Sequence, residues 1–266
     1  MATVSVAVLI RDEIEMLPLT MPCYASLQSA LREVVFVDDG STDGSKDKAM
    51  EIASHFKHLP IVWIEHTMTR WDEQRNIGLD ACTGDFVLSL DADMGFTGNM
   101  VWLLQEGKFN QADVWDMHLL YCRGDQYHFD KTGSYRNGHF DWTTRLIKNC
   151  GLRYSGEAHE QPTVYNGVCK TALPSNKNGE GCPEKKYCED VFLFEWSYLS
   201  SDGLLEERGK RLEVRWRDFM VARGIPPRSP QQYLAFKHSD AETMEVDQKV
   251  RDMIPTMQDA LKHWGK

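Results

Sequence analysis

A chain of 266 residues with 30 Lys plus Arg against 40 Asp plus Glu carries a formal charge of −10. At about 150 residues per domain, that length gives one large domain or a domain with an appendage, and it buries about three quarters of its unfolded surface without a metal or disulfide staple. With 42% apolar and 26% charged residues it is neither disordered nor collagen-like, and its acidic balance argues against a protein that coats nucleic acid or anionic lipid non-specifically.

Residues 4–10 form a continuous apolar run closed by Arg11-Asp12-Glu13, with no basic segment before it. They read as a buried strand, not a signal peptide. A helix is expected to about residue 31, with Pro18 and Pro22 disturbing its start. Residues 33–37 are a second strand that ends at Asp38-Asp39-Gly40-Ser41. Ala49, Ile52, Ala53 and Phe56 have helical spacing. Residues 61–64 and 86–90 read as strands around a helix over 75–81, and the last strand ends at Asp91-Ala92-Asp93. Strands alternating with helices predict a doubly wound α/β sheet, with the loops after the strands on one edge.

Beyond Asp93 the alternation weakens. Residues 114–121 and 138–147 read as antiparallel strands, 171–187 as a long polar loop, and the remainder as helical. The segment 204–223 mixes six basic with four acidic residues and reads as a solvated helix face. Val246, Val250, Met253, Ile254, Met257, Leu261 and Trp264 form an apolar stripe, expected on one helix kinked near Pro255. This organisation divides the chain into an alternating α/β core over 1–165 and a loop with a helical extension over 166–266. No stretch approaches the roughly 18 to 20 apolar residues that span a bilayer. The seven cysteines are odd in number and scattered, and Cys169, Cys182 and Cys188 lack a paired C-x2-C spacing. Free thiols and a reduced cytoplasmic location, with at most peripheral membrane contact, are the expectation.

Two acidic clusters, Asp38-Asp39 and Asp91-Ala92-Asp93, stand where parallel strands end. Ligands of open α/β sheets bind beyond those ends. Carboxylates gathered there need a cation or donor partner. An oxygen-only set suits Mg2+ or Mn2+ and leaves room for phosphate oxygens. The bland alternative, a turn or cap residue, accounts for Asp43 and competes evenly for Asp38.

The segments VSVAVLIRDE, EVVFVDDGSTDGS, RWDEQRNIGLDACTGDFVLSLDADM and TRLIKNCGLRYSGEAHEQP follow one another over residues 3–162. In order and spacing they resemble family 2 glycosyltransferases of the GT-A fold, in particular the subgroup like lipopolysaccharide-core β-glucosyltransferases. The resemblance implies a Rossmann-like mixed sheet with a C-terminal helical extension. It also implies a metal-dependent, inverting transferase that moves a sugar from a nucleotide-diphosphate donor, UDP favoured, to a saccharide, glycolipid or other hydroxyl acceptor. By the same resemblance Ile10, Asp12 and Asp39 hold the nucleotide base and ribose, and Arg75 faces the ribose or diphosphate. Asp91 sits near ribose and metal, Asp93 ligates the metal, and Glu160 is the catalytic base with His159 beside it. A late histidine, His238, is the candidate for a further metal ligand. Arg11-Asp12 stands where the family often has an Asn-containing pair, and Met94 where the subgroup often has an acid.

The residues themselves leave alternatives. Glu157 competes with Glu160 as base, and His159 competes with a merely structural histidine. Arg75 has a surface salt bridge to Asp72 or Glu73 as its bland reading. Of Trp71, Tyr121, Tyr127, Phe140, Trp142 and Tyr154, one or two are expected to stack on a sugar. The rival functions are a non-catalytic nucleotide-sugar binding module, a retaining transferase, and a transferase acting on a modified nucleobase in DNA. A nucleotidyltransferase lacks support, because Arg11-Asp12-Glu13 is no Gly-rich phosphate loop.

Overall fold

The computed structural model describes residues 2–131, 135–136, 139–155, 161–165, 168–169, 184–211, 237 and 243–265. Its first half is the expected alternation: β1 (Val4–Ile10), α1 (Leu17–Ala25), β2 (Leu31–Asp38), α2 (Ser45–Ser54), β3 (Ile61–Glu65), α3 (Trp71–Ala81) and β4 (Phe86–Asp91). All seven residues of β1 are buried, as the apolar run requires of a strand covered on both faces. It lies between β2 and β4 and is parallel to both, with Ile10 beside Asp38 and Leu9 beside Asp91. The three strands therefore end level, which sets both acidic clusters on one edge of the sheet.

Side chains alternate across the sheet. Val4, Val6, Val8 and Ile10 join the core under α1 and α2, whereas Ala7 and Leu9 face α3 with Val35 and Val37. A Cβ on Gly78 would stand 3.3 Å from both Ala7 Cβ and Val37 Cγ2. Its absence lets α3 lie flat on the strands and keeps the next turn, with Arg75, close to β4.

The second half continues with β5 (Met94–Phe96), α4 (Met100–Gln105), β6 (Val114–Tyr121), β7 (His128–Asp130), β8 (Tyr135–Arg136), β9 (His139–Lys148), β10 (Leu152–Ser155), β11 (Gln161–Tyr165), β12 (Val168–Cys169) and β13 (Lys185–Glu195). Helix α5 (202–211), strand β14 (Thr243–Glu245), and helices α6 (Gln248–Arg251) and α7 (Met257–Trp264) follow. Among the described residues one large mixed sheet runs β3-β2-β1-β4-β9-β6-β13-β5, with β8 on β9. As expected, β9 is antiparallel to both β4 and β6. β10, β11 and β12 form a small sheet of their own, and β14 pairs with β7.

Three expectations are corrected. Residues 185–195 are neither loop nor helix but a strand inside the large sheet, parallel to β6 and antiparallel to β5. Between Cys188 and Phe192 its register slips against β6, leaving Glu189, Asp190 and Val191 without partners on that strand. The apolar stripe of 246–264 does not lie on one kinked helix: Val250 is on α6, Met257, Leu261 and Trp264 are on α7, and Val246, Met253 and Ile254 lie outside both, Pro255 supplying no backbone donor where a continuous helix needs one. Only part of the stripe is core: Val246 and Ile254 are buried, and Leu261 is exposed. The basic face of the segment beginning at residue 204 is not wholly solvated, as the next subsection describes. No described helix is long and apolar enough to cross a membrane. Cys188 is fully buried on β13, where burial pushes its thiol up.

Candidate active site

The edge where β1, β2 and β4 end is built by short loops that bond to one another. Asp39 N donates to Ile10 O at 3.0 Å, and Ala92 N to Leu9 O at 2.9 Å, so both acidic clusters are tied to the end of β1. Asp39 is buried; its carboxylate accepts from Met68 N at 2.7 Å and from Arg11 Nη1 at 2.9 Å. Asp38, the last residue of β2, accepts from Ser41 N at 2.9 Å and Ser41 Oγ at 2.6 Å, so its carboxylate closes the turn that follows the strand. Asp43 accepts from Ser45 N and from Ile14 N, both at 2.9 Å, so its bland reading is the observed one.

Asp12 adopts φ +52°, a left-handed conformation that Asp tolerates better than most residues. The turn aims its carboxylate across the edge, where it accepts from Thr42 N at 2.7 Å and pairs with Arg211. Glu13 follows, held by a bond from its own N–H to Ser45 Oγ at 2.9 Å.

The two aspartates of Asp91-Ala92-Asp93 sit in opposite surroundings. Arg75, only 3% exposed, donates to Asp91 Oδ1 at 2.8 Å and to Ser89 Oγ at 3.3 Å, with its guanidinium 5.6 Å from the centre of the Tyr154 ring. Arg145 of β9 reaches Asp91 Oδ2 at 3.2 Å. Burial pushes the Asp91 carboxyl up, but the two guanidinium groups outweigh it and hold the group below the usual carboxylate range. For Asp93 burial wins. Together with the charge of Asp91 it raises the carboxyl, against the pull of Arg208, whose Nη1 lies 3.3 Å from Asp93 Oδ2.

Two more carboxylates complete the cluster. Glu13 accepts from Arg208 through Oε1, while its Oε2 is buried without a hydrogen-bond partner. Burial pushes Glu13 up to about 8. Glu195, at the end of β13, accepts from Ser197 Oγ at 3.0 Å and is likewise pushed up to about 8 by burial and by the charges of Asp93 and Asp91. The bond from Trp196 N to Asp93 O, 2.8 Å, fastens the end of β13 to the turn that carries Asp93.

The structure thus brings Ile10, Asp12, Asp39, Arg75, Asp91 and Asp93 to one edge. It places Arg75 beneath Asp91 as a buried support and not in a surface pair with Asp72 or Glu73. Glu157, His159, Glu160, Cys182 and His238 lie outside the described residues. Glu195, Arg145, Arg208 and Arg211 escaped sequence reasoning. An isolated Glu after an apolar run was the available signal for Glu195, and Arg145 stands in the segment TRLIKNCGLRYSGEAHEQP that carries the family resemblance without a role assigned to it; Arg208 and Arg211 carry none, since their partners are remote in sequence.

Comparison with known proteins follows the same lines. The profile of the family described as Glycosyl transferase family 2 matches residues 5–156. A stretch of 93 residues is 36% identical to a TPR repeat-containing protein of Synechococcus elongatus, covering 35% of this chain and 21% of that protein. The chain therefore spans about a fifth of the length of the curated relative it matches. Among solved structures, S. aureus TarS 1–349 superimposes with a TM-score of 0.51 at 12% identity, over 88% of this chain and 69% of that one. The same protein in complex with UDP-GlcNAc gives 0.51 at 13% identity, over 88% and 71%.

Proposed function

From the premise that the chain belongs to glycosyl transferase family 2 and has the GT-A fold, we propose that it moves a sugar from a nucleotide-diphosphate donor to an acceptor hydroxyl. The observation that carries this reading is the shared edge: Asp39 and Asp93 flank the end of β1, tied to its backbone through Asp39 N and through Ala92 N beside Asp93. A UDP-sugar is the favoured donor, supported by the complex of the similarly folded TarS with UDP-GlcNAc. Residues 1–165 supply the donor side in this reading, and 166–266 select the saccharide, glycolipid or other acceptor.

Ile10, Asp12 and Asp39 hold the base and ribose. Arg75 and Arg145 keep Asp91 ionised and fixed, so that its charge is constant while the donor is bound. Among the described residues no three His, Cys, Asp or Glu side chains are gathered to hold a metal ion by themselves. The donors present nonetheless fit a hard cation that completes its shell with phosphate oxygens: all are oxygen, and Glu13 Oε2 is an orphaned buried acceptor. Mn2+ or Mg2+ would be held by Asp93 with Glu13 or Glu195, Asp91 and His238 being the further candidate ligands that the family resemblance implies, and would supply positive charge to the departing diphosphate. Glu160 takes the acceptor proton as the acceptor oxygen bonds to the anomeric carbon and the carbon–diphosphate oxygen bond breaks. One carboxylate suffices for this direct displacement, which inverts the anomeric centre.

The test is a thermal-shift panel of UDP-, GDP-, dTDP- and CMP-sugars with Mn2+, followed by donor hydrolysis. One nucleotide class should raise the melting temperature, since a ligand of the native state stabilises it. Asp93→Ala should abolish both that shift and nucleotide release, whereas Glu160→Gln should keep the shift and lose turnover. Full turnover in Asp93→Ala, or no shift with any donor, overturns the reading.

A further inference from the structure

The acidic edge is closed by a helix from far along the chain. Arg208 of α5 donates to Glu13 and stands 3.3 Å from Asp93 Oδ2, and Arg211, almost one turn later, pairs with Asp12. The side chains are largely withdrawn from water, with Arg208 and Asp93 each 14% exposed and Glu13 9%. A guanidinium is a fixed, planar cation with five donors, and here it bridges carboxylates from the ends of β1 and β4 that otherwise repel each other. That is the place and the charge of a bound cation. Glu13 Oε2, buried and without a hydrogen-bond partner, marks a demand that Arg208 leaves unmet.

Charge and packing both bear on how firmly α5 is held. Asp12, Glu13, Asp39, Asp91, Asp93 and Glu195 are faced by Arg11, Arg75, Arg145, Arg208 and Arg211, of which Arg11 serves Asp12 and Asp39 and the next two serve Asp91. Without α5 the edge keeps six acids against three bases, a surplus that a divalent ion relieves. Among the described residues of this helix, 202–211, only Leu205 and Gly209 are buried, so this stretch is held more by its ion pairs than by apolar contacts. Its start is pinned by Ser201, which donates to Glu15 from both N and Oγ at 2.8 Å. Arg208 and Arg211 lie three residues apart on one face, so they engage and leave together. An element held by ion pairs more than by apolar contacts belongs to the easily opened part of a fold.

We propose that Arg208 and Arg211 form a displaceable internal counter-ion: α5 closes the acidic edge in the donor-free protein, and a divalent cation arriving with a nucleoside diphosphate takes the place of Arg208 at Asp93 and Glu13 and releases the helix. This rests on the reading of the edge as the donor site. Both cations cannot share one carboxylate oxygen, because a divalent ion and a guanidinium held that close repel each other.

The experiment is hydrogen exchange on the full chain, alone, with MnCl2, and with MnCl2 plus UDP, together with Mn2+ titration followed by electron paramagnetic resonance. In the unaltered protein the amides of 202–211 should exchange faster once MnCl2 and UDP are added. Arg208→Gln should bind Mn2+ without nucleotide at least about fivefold more tightly, since a like charge has been removed. Arg208→Gln/Glu13→Gln, which replaces both members of the pair by neutral amides, should open α5 without added metal even if the single variant folds poorly. Unchanged or increased protection of 202–211 with MnCl2 and UDP, or weaker Mn2+ binding by Arg208→Gln, overturns the proposal while leaving the donor reading intact. Binding of MnCl2 that frees α5 with no effect of UDP supports the counter-ion and defeats the donor reading instead.

Discussion

Asp91 and Asp93 are separated by one residue and do different work because their neighbours differ. Asp91 is ionised by Arg75 and Arg145, so removing Arg75 leaves a charge with half its compensation. Arg75→Met should destabilise the protein by about 2 kcal/mol in urea unfolding, less than a fully buried pair costs because the Asp91 side chain is 34% exposed. Arg75→Met/Asp91→Asn should recover part of that loss; strict additivity of the two single changes would refute the pairing as the cause. Glu195 responds to pH in a way that follows from its surroundings. Its folded value, about 8, lies above its ordinary 4.5, so the folded state binds the proton more tightly than the unfolded chain. The stabilisation is complete below about pH 4.5 and is lost as pH rises through about 8. Melting temperatures measured without metal should fall across that window, and Glu195→Gln should flatten the fall, leaving the share that Glu13 contributes by the same logic. Equal slopes for the two proteins would mean that Glu195 is solvated.

Strand β5 shows how a single element fixes the cleft. Its Gly95 lies against Trp196, and a Cβ there would stand 2.4 Å from two ring carbons of an indole that is fully buried. The ring has nowhere to go, so Gly95→Ala should cost about 1–3 kcal/mol by overpacking. It should also disturb the bond from Trp196 N to Asp93 O, lowering the donor-induced thermal shift along with the melting temperature. A variant of unchanged stability would show that β5 shifts freely. The same elements explain what the sequence reveals. Strands β1, β2 and β4 are legible because each is a buried apolar run punctuated by Asp, Gly or Pro, and the site edge follows from where they end. β13 is not, because Glu189 and Asp190 interrupt its pattern where the register slips. The arginines of α5 look like a solvated face, since acids 195 and 199 positions away decide their fate. Pattern reports the environment of near neighbours; it is silent about partners that the topology supplies.

At the scale of the whole molecule the sheet joins segments from both ends of the chain. β5 pairs with β13 and with no other strand of the large sheet, so its three residues wait for Leu193–Glu195 to arrive. β13 also brings Leu193, Phe194 and Trp196, all fully buried, into the core beneath β6 and α1. Burying each such side chain is worth about 1.5–3 kcal/mol, a sum comparable to the net stability of a domain. A fragment ending at residue 165 keeps the donor-side loops yet loses that core and exposes the edges of β5 and β6. Unpaired edges of apolar strands template association. The fragment should therefore elute as aggregate in size-exclusion chromatography and show no cooperative urea transition, even though every aspartate of the donor edge is present. A monomeric fragment that unfolds cooperatively would place the structural boundary at 165 after all, and would make β13 an addition to a finished core. The expected failure has a structural corollary: residues 1–165 and β13 are separate in sequence but belong to one folding unit, joined at the sheet edge by the bond from Trp196 N to Asp93 O.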